Sequence, residues 1–499
     1  MEELEAATVN GEDRFNLIDE PWLPIVEVGQ VSLKQLFSSP YNRAIGGNPV
    51  QKIAITKFLL AIAQAAYTPN DDFDWAQLGD EELANKCLEY LESWRDHFYL
   101  YGERPFLQIP AIHSAAKKSF GDVMVEVATG NTTVLTQTQV GNELTDADKA
   151  LLIVQLMGFA LGGKKTDNSI TLSSNYPEKL KSGKPGTSMG RFGFLHSFLQ
   201  GKSVRETIWL NLLTNQDISG LRTLEQGKGT APWEQMPQSE NCITAEALKG
   251  SLMGRLIPLS RFCLLTEDGL HYSEGITHPD YSDGFVDPSI SVDFTKRTPS
   301  AIWVDPEKRP WRILTSLLSF LGERSFDCPQ LRFTIPRAKQ SVQVVGIWSG
   351  GLRVSSNAGE QFVSGSDDFV ESLIYLQAEI LGSIWFSNLC LEMKELDDVS
   401  KIVWSSTSRY FKTQNVDSKD RAAQASNLFW QLCERQFQSL LEACSDAVQA
   451  NALRSVFADC AIRAFDTYCA KETARQLDSW AKNRPDFRKY LHKTNEESV

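Results

Sequence analysis

The sequence contains no hydrophobic run long enough to cross a membrane. Its longest apolar stretch, Leu151 to Leu161, has 11 residues and includes Gln155, whereas a transmembrane helix needs about 20. The first 20 residues hold seven acidic side chains and only one basic side chain, Arg14, which is the opposite of a secretory signal peptide. The sequence therefore predicts a cytoplasmic protein with no membrane association.

Cysteine pairs and positive charge are also scarce. The nine cysteines include no C-x-x-C pair, so we predict reduced core residues rather than a disulfide framework. Lysine and arginine number 50 against 63 acidic residues, which gives a formal net charge of −13. A protein that grips nucleic acid alone needs clustered bases. Any nucleic-acid contact is therefore predicted to be local or to belong to a larger assembly.

Signatures of catalysis are missing as well. The chain has no G-x-S-x-G elbow and no phosphate-binding P-loop. The run from Gly162 to Lys165 follows a predicted helix, and the C-terminal end of a helix dipole disfavours phosphate. One group combines metal-capable residue types without the spacing of a standard metal site: His271, Glu274, His278, Asp280, Asp283 and Asp287. We interpret it as a solvated turn and predict no enzyme activity, no metal and no other cofactor.

Hydrophobic patterning in the N-terminal half predicts a mixed structure. Residues 15–28 favour an edge strand, and Ile53 to Tyr67 favour a buried helix. The acidic stretch from Asp71 to Glu82 predicts a solvated, loop-rich segment. A capping box of Thr145 and Asp148 predicts the start of a helix that ends at Gly162 and Gly163. The polar segment from Lys164 to Arg191 predicts a long loop.

The pattern changes twice in the second half of the chain. Between Leu259 and Gly350, short β-type runs surround one predicted helix near Trp311 to Leu321. From Asp367 onward, apolar residues recur every three or four positions and predict a bundle of about four helices. These stripes are Phe369, Leu373, Leu376, Ile380 and Ile384; then Phe429, Cys433, Phe437, Leu440 and Cys444; then Leu453, Val456, Cys460, Ala464 and Tyr468. We predict an α+β fold with a mixed N-terminal domain over residues 1–366 and a helical bundle over 367–499.

Several segments, in the same order, resemble the CasA family, the large subunit of the type I-E CRISPR Cascade complex. The opening segment from Phe15 to Pro24 (FNLIDEPWLP) is similar to the family's opening signature. Further similar segments are Glu103 to Gln108 (ERPFLQ), Leu144 to Gly163, Phe198 to Leu213, and Ala231 to Glu234 (APWE). The resemblance extends to the C-terminal helical bundle that periodicity predicts.

This resemblance implies a non-enzymatic subunit that recognises the protospacer-adjacent motif (PAM) of double-stranded DNA. Such a subunit helps to open the duplex beside the PAM, which begins R-loop formation. The implied partners are the other Cascade subunits, the CRISPR RNA, the target DNA and a recruited helicase-nuclease. Relatives that could hold zinc carry a cysteine cluster in the middle region. This chain has only Cys242 and Cys263 there, and we predict no zinc.

The family's DNA-reading elements correspond unevenly to this sequence. Its glycine loop corresponds to Gly162 and Gly163, with Lys164 and Lys165 beside them; a plain helix cap followed by a solvated loop is the competing interpretation. Its wedge corresponds to a glycine-flanked tip of Ser356, Asn357 and Ala358, where Asn357 replaces a glutamine; an ordinary surface hairpin is the alternative. Its guide-RNA handle loop corresponds to Val134, Leu135 and Thr136.

The family's lysine finger has no counterpart in this sequence. Asp268 occupies that position, and Glu267 is adjacent. Either another base substitutes, with Lys296 and Arg297 the nearest candidates, or PAM reading differs in this protein. The leading hypothesis is a CasA-like DNA-recognition subunit. Its main alternative is a structural scaffold or adaptor that binds protein partners through the helical bundle, and a hydrolase that uses the histidine-acid group is a remote third.

Overall fold

The computed structural model describes residues 13–124, 143–158, 166–167, 169–174, 193–278, 287–322, 325–354 and 369–492. The α-helices are α1 (Leu33–Ser38), α2 (Pro49–Ala66), α3 (Asp72–Ser93), α4 (Phe120–Val123), α5 (Asp146–Gly158), α6 (Val204–Leu210), α7 (Asn215–Ser219), α8 (Ile243–Lys249), α9 (Leu252–Leu256), α10 (Leu314–Leu317), α11 (Pro329–Ser341), α12 (Ser383–Lys412), α13 (Lys419–Ala443), α14 (Ala447–Tyr468), α15 (Ala474–Asn483) and α16 (Arg488–Leu491). The strands are β1 (Arg14–Asn16), β2 (Leu23–Ile25), β3 (Gly29–Val31), β4 (Tyr99–Tyr101), β5 (Lys117–Lys118), β6 (His196–Gln200), β7 (Arg261–Leu265), β8 (Leu270–Glu274), β9 (Val292–Asp293), β10 (Ser300–Ala301), β11 (Phe326–Asp327), β12 (Val344–Leu352) and β13 (Phe369–Gln377). None of the helices in these ranges is long and apolar enough to span a membrane.

The chain forms two compact units, and the predicted α+β fold class is confirmed. The first unit comprises residues 1–310, 326–341 and 346–373, and the second comprises residues 311–325, 342–345 and 374–499. The sequence predicts a domain boundary between residues 366 and 367. That position lies outside the described residues, so the boundary stays a prediction.

Helix α2 is the centre of the first unit. Its side chains are buried on nearly every side, from Val50 to Gln64, because α3, α5 and α6 all pack against it. The helix begins with a capping box in which Asn48 accepts the Gln51 backbone N–H at 2.9 Å, which satisfies an otherwise unpaired donor. The buried helix predicted for residues 53–67 is therefore confirmed, with its start four residues earlier.

An aromatic cluster explains the Pro-Trp-Glu segment in structural terms. Trp233 packs its ring against Phe58, Phe98 and Phe106, with centroid distances from 5.6 to 6.3 Å. Its indole N–H donates to the Tyr90 hydroxyl at 2.7 Å. Aromatic pairs at these distances stabilise a core beyond simple area burial. This motif therefore contributes to packing inside the first unit.

Five small sheets complete the mixed architecture within the described ranges. Two have two strands, β1-β4 and β2-β3, and three have three strands, β10-β9-β11, β13-β12-β6 and β5-β8-β7. In the register of β6 and β12, Phe198 lies opposite Trp348 and His196 lies opposite Gly350. The strands β7 and β8 form a hairpin in which Leu265 pairs with Leu270.

The loop-rich structure predicted for residues 71–82 is wrong, because α3 begins at Asp72. The Asp71 side chain caps it by accepting the Asp74 backbone N–H at 2.9 Å. Acidic residues stabilise the positive end of a helix dipole, so this charge cluster favours a helix start instead of opposing one. Trp75 and Leu78 bury the inner face, and Gly79 interrupts the helix with a φ of 63°.

Helix α11 is a second element that sequence patterning missed. Residues 329–341 were expected within a region of short strands, but they form a helix with Pro336 inside it. Because proline removes one backbone donor, its presence normally argues against a helix interior. Pro336 is the reason that the sequence did not predict this helix. Arg337, buried on this helix, donates to Asp217 at 2.6 Å, to Asp72 at 3.0 Å and to the Leu212 carbonyl at 2.9 Å. These contacts bind α11 to α3 and α7.

The second unit contains the predicted C-terminal helices. The long helices α12, α13 and α14 pack against one another, and α15 packs against α12. The indole N–H of Trp385 donates to the Leu441 carbonyl at 2.8 Å, and the Asn388 amide donates to the Cys444 carbonyl at 2.8 Å. The predicted stripe from Phe429 to Cys444 is confirmed, since all five of its side chains are buried.

The two other stripes need correction. Residues 369–377 form strand β13 rather than a helix, because Val370, Ile374 and Leu376 point inward with the two-residue period of a sheet. On α14 the predicted stripe is confirmed only in part, since Cys460 and Ala464 are buried whereas Leu453, Val456 and Tyr468 are only partly buried. Phe457, Ala461 and Phe465 complete the buried face.

Arg454 also belongs to the buried face of α14, and its charged head lies inside the second unit. Its guanidinium donates to Glu392 at 2.6 Å, and the two side chains are 1% and 2% exposed. A buried charge of this kind needs its partner. Sequence patterning counted only apolar residues as inward and therefore did not place Arg454 on the buried face.

Candidate nucleic-acid interface

Most of the predicted site residues fall outside the described ranges. These are the glycine loop with its lysines (Gly162, Gly163, Lys164, Lys165), the wedge tip (Ser356, Asn357, Ala358) and the guide-RNA handle loop (Val134, Leu135, Thr136). Of the predicted DNA-binding residues, Lys296 and Arg297 lie within the described ranges. The structure does describe the residues that lead into each of these segments, and they define where the segments leave the first unit.

The segment that holds the wedge tip leaves the first unit beside the strand that follows Lys296 and Arg297. Its last described residue, Val354, lies against Gly193, and so does the Trp303 ring; a Cβ on Gly193 would clash with both side chains. Backbone bonds join the same strands, with the Val304 N–H donating to the Gly193 carbonyl at 2.7 Å and the Leu195 N–H donating to the Ile302 carbonyl at 3.0 Å. We call the contact of Gly193, Trp303 and Val354 the Gly193 junction.

Lys296 and Arg297 occupy the exposed tip of the hairpin formed by β9 and β10. Asp293 pairs with Ser300 at its base, and the Asp293 carboxylate accepts the Thr295 N–H at 2.9 Å and its hydroxyl at 2.6 Å. These bonds lower the pKa of Asp293, and the bond from the Thr295 hydroxyl has the largest effect. The Lys296 ammonium lies 3.1 Å from the Ser300 hydroxyl and 3.5 Å from Asp293, and its side chain is 65% exposed. We name residues 294–299 the basic tip.

A buried polar network supports the strands behind the basic tip. The Lys57 ammonium of α2 lies 2.5 Å from the Asp287 carboxylate, and both side chains are almost fully buried. The other carboxylate oxygen accepts the Ser289 hydroxyl at 2.8 Å, and that hydroxyl lies 2.8 Å from His196 Nδ1 on β6. His196 is therefore a structural group in the core of the first unit.

A cleft marks the place from which the predicted guide-RNA handle loop departs. Met124 and Leu144 lie on either side of residues 125–142 in sequence, and both line this cleft together with Leu151 and Leu152 of α5. Gln155 also lines it, and its amide nitrogen is buried with no hydrogen-bond partner among the described residues. A buried amide donor without a partner is costly, so this cleft favours a ligand atom that accepts a hydrogen bond.

Helix α5 leads from this cleft toward the glycine loop, and its predicted start is confirmed. The Thr145 N–H donates to Asp148 at 3.1 Å, and the Asp148 N–H donates to the Thr145 hydroxyl at 3.2 Å. The described part of the helix ends at Gly158. The predicted end at Gly162 and Gly163 lies outside the described residues.

The turn at the lysine-finger position carries a lysine supplied by another strand. Asp268 lies in the β7–β8 turn, and the Lys117 ammonium of β5 donates to its carboxylate, which lowers the pKa of Asp268. Lys149 donates to the Glu267 carbonyl at 3.1 Å. Sequence reasoning missed these lysines because Lys117 lies 151 residues before Asp268. The adjacent pair Lys117 and Lys118 was the available signal.

The histidine-acid group does not come together within the described residues, and its interpretation as a solvated turn is wrong. His271 and Glu274 lie on strand β8, and His278 and Asp287 are each 1% exposed. His271 Nδ1 lies 2.7 Å from the Ala115 carbonyl, and His278 Nε2 lies 2.6 Å from the Pro258 carbonyl. Asp287 faces Lys57, and Asp280 and Asp283 lie outside the described residues. In the part of the chain that the structure describes, no three metal-capable side chains come together.

Comparison with solved structures identifies the fold of this chain. Cse1 from Thermobifida fusca superposes with a TM-score of 0.77 at 18% identity, covering 98% of this chain and 99% of that one. CasA (Cse1) from Thermus thermophilus superposes with a TM-score of 0.71 at 17% identity, covering 96% and 99%. A chain of a structure described as a CRISPR RNA-guided surveillance complex gives a TM-score of 0.68 at 13% identity, covering 94% and 98%. The fold is therefore that of the large Cse1-type CRISPR proteins.

Sequence comparison then identifies the family. Residues 16–465 match the family described as CRISPR-associated protein Cse1. A curated relative, CRISPR-associated protein CasA/Cse1 from Thermus thermophilus, is 30% identical over 166 residues, which is 30% of this chain and about a third (32%) of that relative's length. The chain belongs to the Cse1 (CasA) family of CRISPR-associated proteins, and the predicted family resemblance is confirmed.

Proposed function

We propose that this protein is the non-catalytic large subunit of a type I-E Cascade-like CRISPR RNA-guided surveillance complex. In this role it recognises the PAM in double-stranded DNA, helps to open the duplex for R-loop formation and recruits a helicase-nuclease. Its partners are the other Cascade subunits, the CRISPR RNA and the target duplex. Family membership supports the assembly, and the DNA-reading role rests on the Gly193 junction.

The Gly193 junction carries the proposal because it joins two elements that DNA opening requires. The segment with Ser356, Asn357 and Ala358 departs at Val354, next to the strand that follows Lys296 and Arg297. Exposed basic side chains contact phosphates and fix a protein on the duplex. Opening a base step costs a few kcal/mol, so a tip must occupy the vacated space. In this proposal the basic tip supplies the phosphate contacts, and the segment that follows Val354 supplies the wedge.

The remaining predicted residues complete the proposed interface. Gly162 and Gly163 allow a close backbone approach to the minor groove, and Lys164 and Lys165 supply phosphate contacts. Val134, Leu135 and Thr136 contact the handle of the guide RNA. The cleft from which this segment departs offers the buried Gln155 amide to an acceptor atom.

Lys296 and Arg297 provide the positive charge that the β7–β8 turn lacks. Glu267 and Asp268 are both acidic, and Lys117 neutralises Asp268. A net cation at that turn is therefore missing, whereas no acid occurs from residue 294 through residue 304. We place the substitute for the family's lysine finger at the basic tip.

Salt-dependent binding of the assembled complex tests this function. The chain is co-expressed with the other Cascade subunits and a CRISPR RNA, and affinity for a PAM-containing target duplex is measured over a range of salt. Lys296→Gln with Arg297→Gln should weaken binding and reduce the slope of log K against log salt by about 0.9 for each phosphate that is no longer neutralised. Lys202→Gln is the matched control, since Lys202 is 80% exposed in the same unit and pairs with Glu206. Unchanged affinity and slope in the double variant would reject the assignment.

A structural scaffold remains the second candidate function. Ile384 in the first turn of α12 is 78% exposed, and Val448 in the first turn of α14 is 77% exposed. Both lie at the same end of the bundle, because Asn388 of α12 bonds to the Cys444 carbonyl just before α14. Exposed apolar residues suit protein contacts. If omitting the chain breaks the complex but leaves PAM discrimination by the remaining subunits intact, the scaffold function is the correct one.

A further inference from the structure

The β9–β10 hairpin exposes two aromatic rings along with its cations. Phe294, at the start of the basic tip, is 49% exposed, and Trp303, just after β10, is 41% exposed. Lys296 and Arg297 lie between them in sequence and are both exposed. Contacts with phosphates require only the two cations. They do not explain why two aromatic rings are exposed on the same hairpin.

The charge and spacing of this surface fit a nucleic-acid strand. Residues 294–304 contain two basic side chains and no acid. Asp293 pairs with Ser300, so Phe294 and Trp303 are separated by about four residues along the strand direction, or roughly 13 Å at about 3.3 Å per residue. Surfaces that bind single strands extend over about four or more nucleotides. Two rings at this separation therefore lie within reach of one short unpaired stretch.

The hairpin is held firmly enough to present these rings. Strand β9 lies between β10 and β11, and Ala301 packs with Phe194 and Ile290 in a small buried cluster. The Trp303 ring meets the Phe194 ring edge-on at 4.8 Å, which fixes the indole while leaving part of it open to solvent. Pre-ordered aromatic groups lose little entropy on binding.

The ion pair at the tip is easily exchanged. Lys296 lies 3.5 Å from Asp293 and its side chain is 65% exposed. Exposed pairs of this kind contribute little to stability, so a phosphate can replace Asp293 as the partner of Lys296 at little cost. Because Asp293 also accepts two bonds from Thr295, it keeps its partners when Lys296 turns to a phosphate.

We propose that Phe294 and Trp303, with Lys296 and Arg297, form a binding platform for single-stranded DNA. Bases in a duplex are already stacked on one another, whereas unpaired bases are free to stack on aromatic faces, and such stacking is sequence-tolerant. The two cations contact the phosphates between the stacked bases. The platform's use in holding a strand released from the duplex rests on the proposed function, while single-strand binding itself does not.

The test uses the purified full chain and a fluorescent oligothymidylate at several salt concentrations. Phe294→Ala and Phe294→Leu should each lower the affinity about tenfold, because base–aromatic stacking contributes about 1–3 kcal/mol per base, and neither should change the salt slope. Lys296→Gln with Arg297→Gln should lower the affinity and also reduce the slope by about 0.7 for each phosphate that is no longer neutralised. A probe containing 2-aminopurine should lose fluorescence on binding to the wild type and retain it with Phe294→Leu.

The matched control is Phe73→Ala, since Phe73 is 70% exposed on α3 of the same unit. The inference is overturned if both Phe294 variants bind the oligothymidylate with wild-type affinity. It is also overturned if Phe73→Ala loses as much affinity as they do, or if the wild-type chain does not bind single strands at low salt. PAM-duplex binding by the assembled complex is measured in parallel. If that binding depends on Lys296 and Arg297 but single-strand binding ignores Phe294, the inference fails and the proposed function stands.

Discussion

Replacing Lys57 with methionine tests the buried network behind the candidate interface. The side chains of Lys57 and Asp287 are 3% and 2% exposed, so the substitution removes a cation from the core while nearly preserving its volume. Asp287 then retains its bonds from Ser289 but loses the Lys57 ammonium. Leaving a buried charge without its partner costs about 3–5 kcal/mol.

Hydrogen exchange measured on peptides from α2 is the suitable assay, because it reports local opening within a chain that has two units. With each 1.4 kcal/mol equal to a factor of ten, Lys57→Met should reduce protection of α2 about a hundredfold or more. Lys52→Met is the control on the same helix. Lys52 lies 2.7 Å from Glu371 in a pair whose side chains are 23% and 40% exposed, and such pairs contribute about 1 kcal/mol or less.

The double variant Lys57→Met with Asp287→Asn should cost less than the sum of the two single variants, because it removes both charges together. Equal protection in Lys57→Met and Lys52→Met would refute the reasoning. If Asp287 held a metal instead, EDTA would reduce the protection of wild-type α2; we expect no effect of EDTA.

Four further predictions concern the interface, the bundle and catalysis. Lys164→Ala with Lys165→Ala should weaken duplex binding by the assembled complex and reduce its salt slope, and an unchanged slope would leave these lysines as a solvated helix end. Ser356→Gly with Asn357→Gly should impair R-loop formation while initial duplex binding is mostly retained; no change in either measurement would mean that the tip is an ordinary surface turn. Phe457→Asp should unfold the second unit, as followed by helical circular dichroism, because it places a charge in the core, whereas Leu453→Asp at its half-buried position should cost much less; equal losses would contradict the corrected helix face. The purified chain should show no nuclease or ATPase activity, and turnover that copurifies with it through successive columns would contradict this expectation.

Local signals in the sequence were sufficient for several elements. The capping box of Thr145 and Asp148 involves residues three positions apart, so its geometry is readable directly. The stripe on α13 was equally clear, because every one of its members is apolar and faces one side. In both cases the information lies within one or two helical turns.

Other elements depend on residues that sequence patterning does not bring together. Residues 369–377 also match a helical spacing, but pairing in the sheet of β12 and β6 decides for a strand. On α14, Arg454 points inward because Glu392, 62 residues away, neutralises it. A pattern search that counts only apolar residues cannot identify such a position.

The candidate interface was predictable only in part, for the same reason. The family resemblance indicated Lys296 and Arg297 as the nearest candidates to replace the lysine finger. The Gly193 junction brings together positions 193, 303 and 354 through tertiary contacts, and the Lys117 pair with Asp268 spans 151 residues. Neither contact has a local sequence signature, so the structure was needed to relate the basic tip to the start of the wedge segment.

PAM dependence of R-loop formation, measured with and without this chain, tests the central claim most directly. The remaining Cascade subunits and the CRISPR RNA are assembled, and target duplexes with an intact or a mutated PAM are compared after the wild-type chain or the Lys296→Gln, Arg297→Gln variant is added. We predict that discrimination between the two duplexes requires the wild-type chain and is reduced in the variant. Equal discrimination in the presence and absence of the chain would contradict the account.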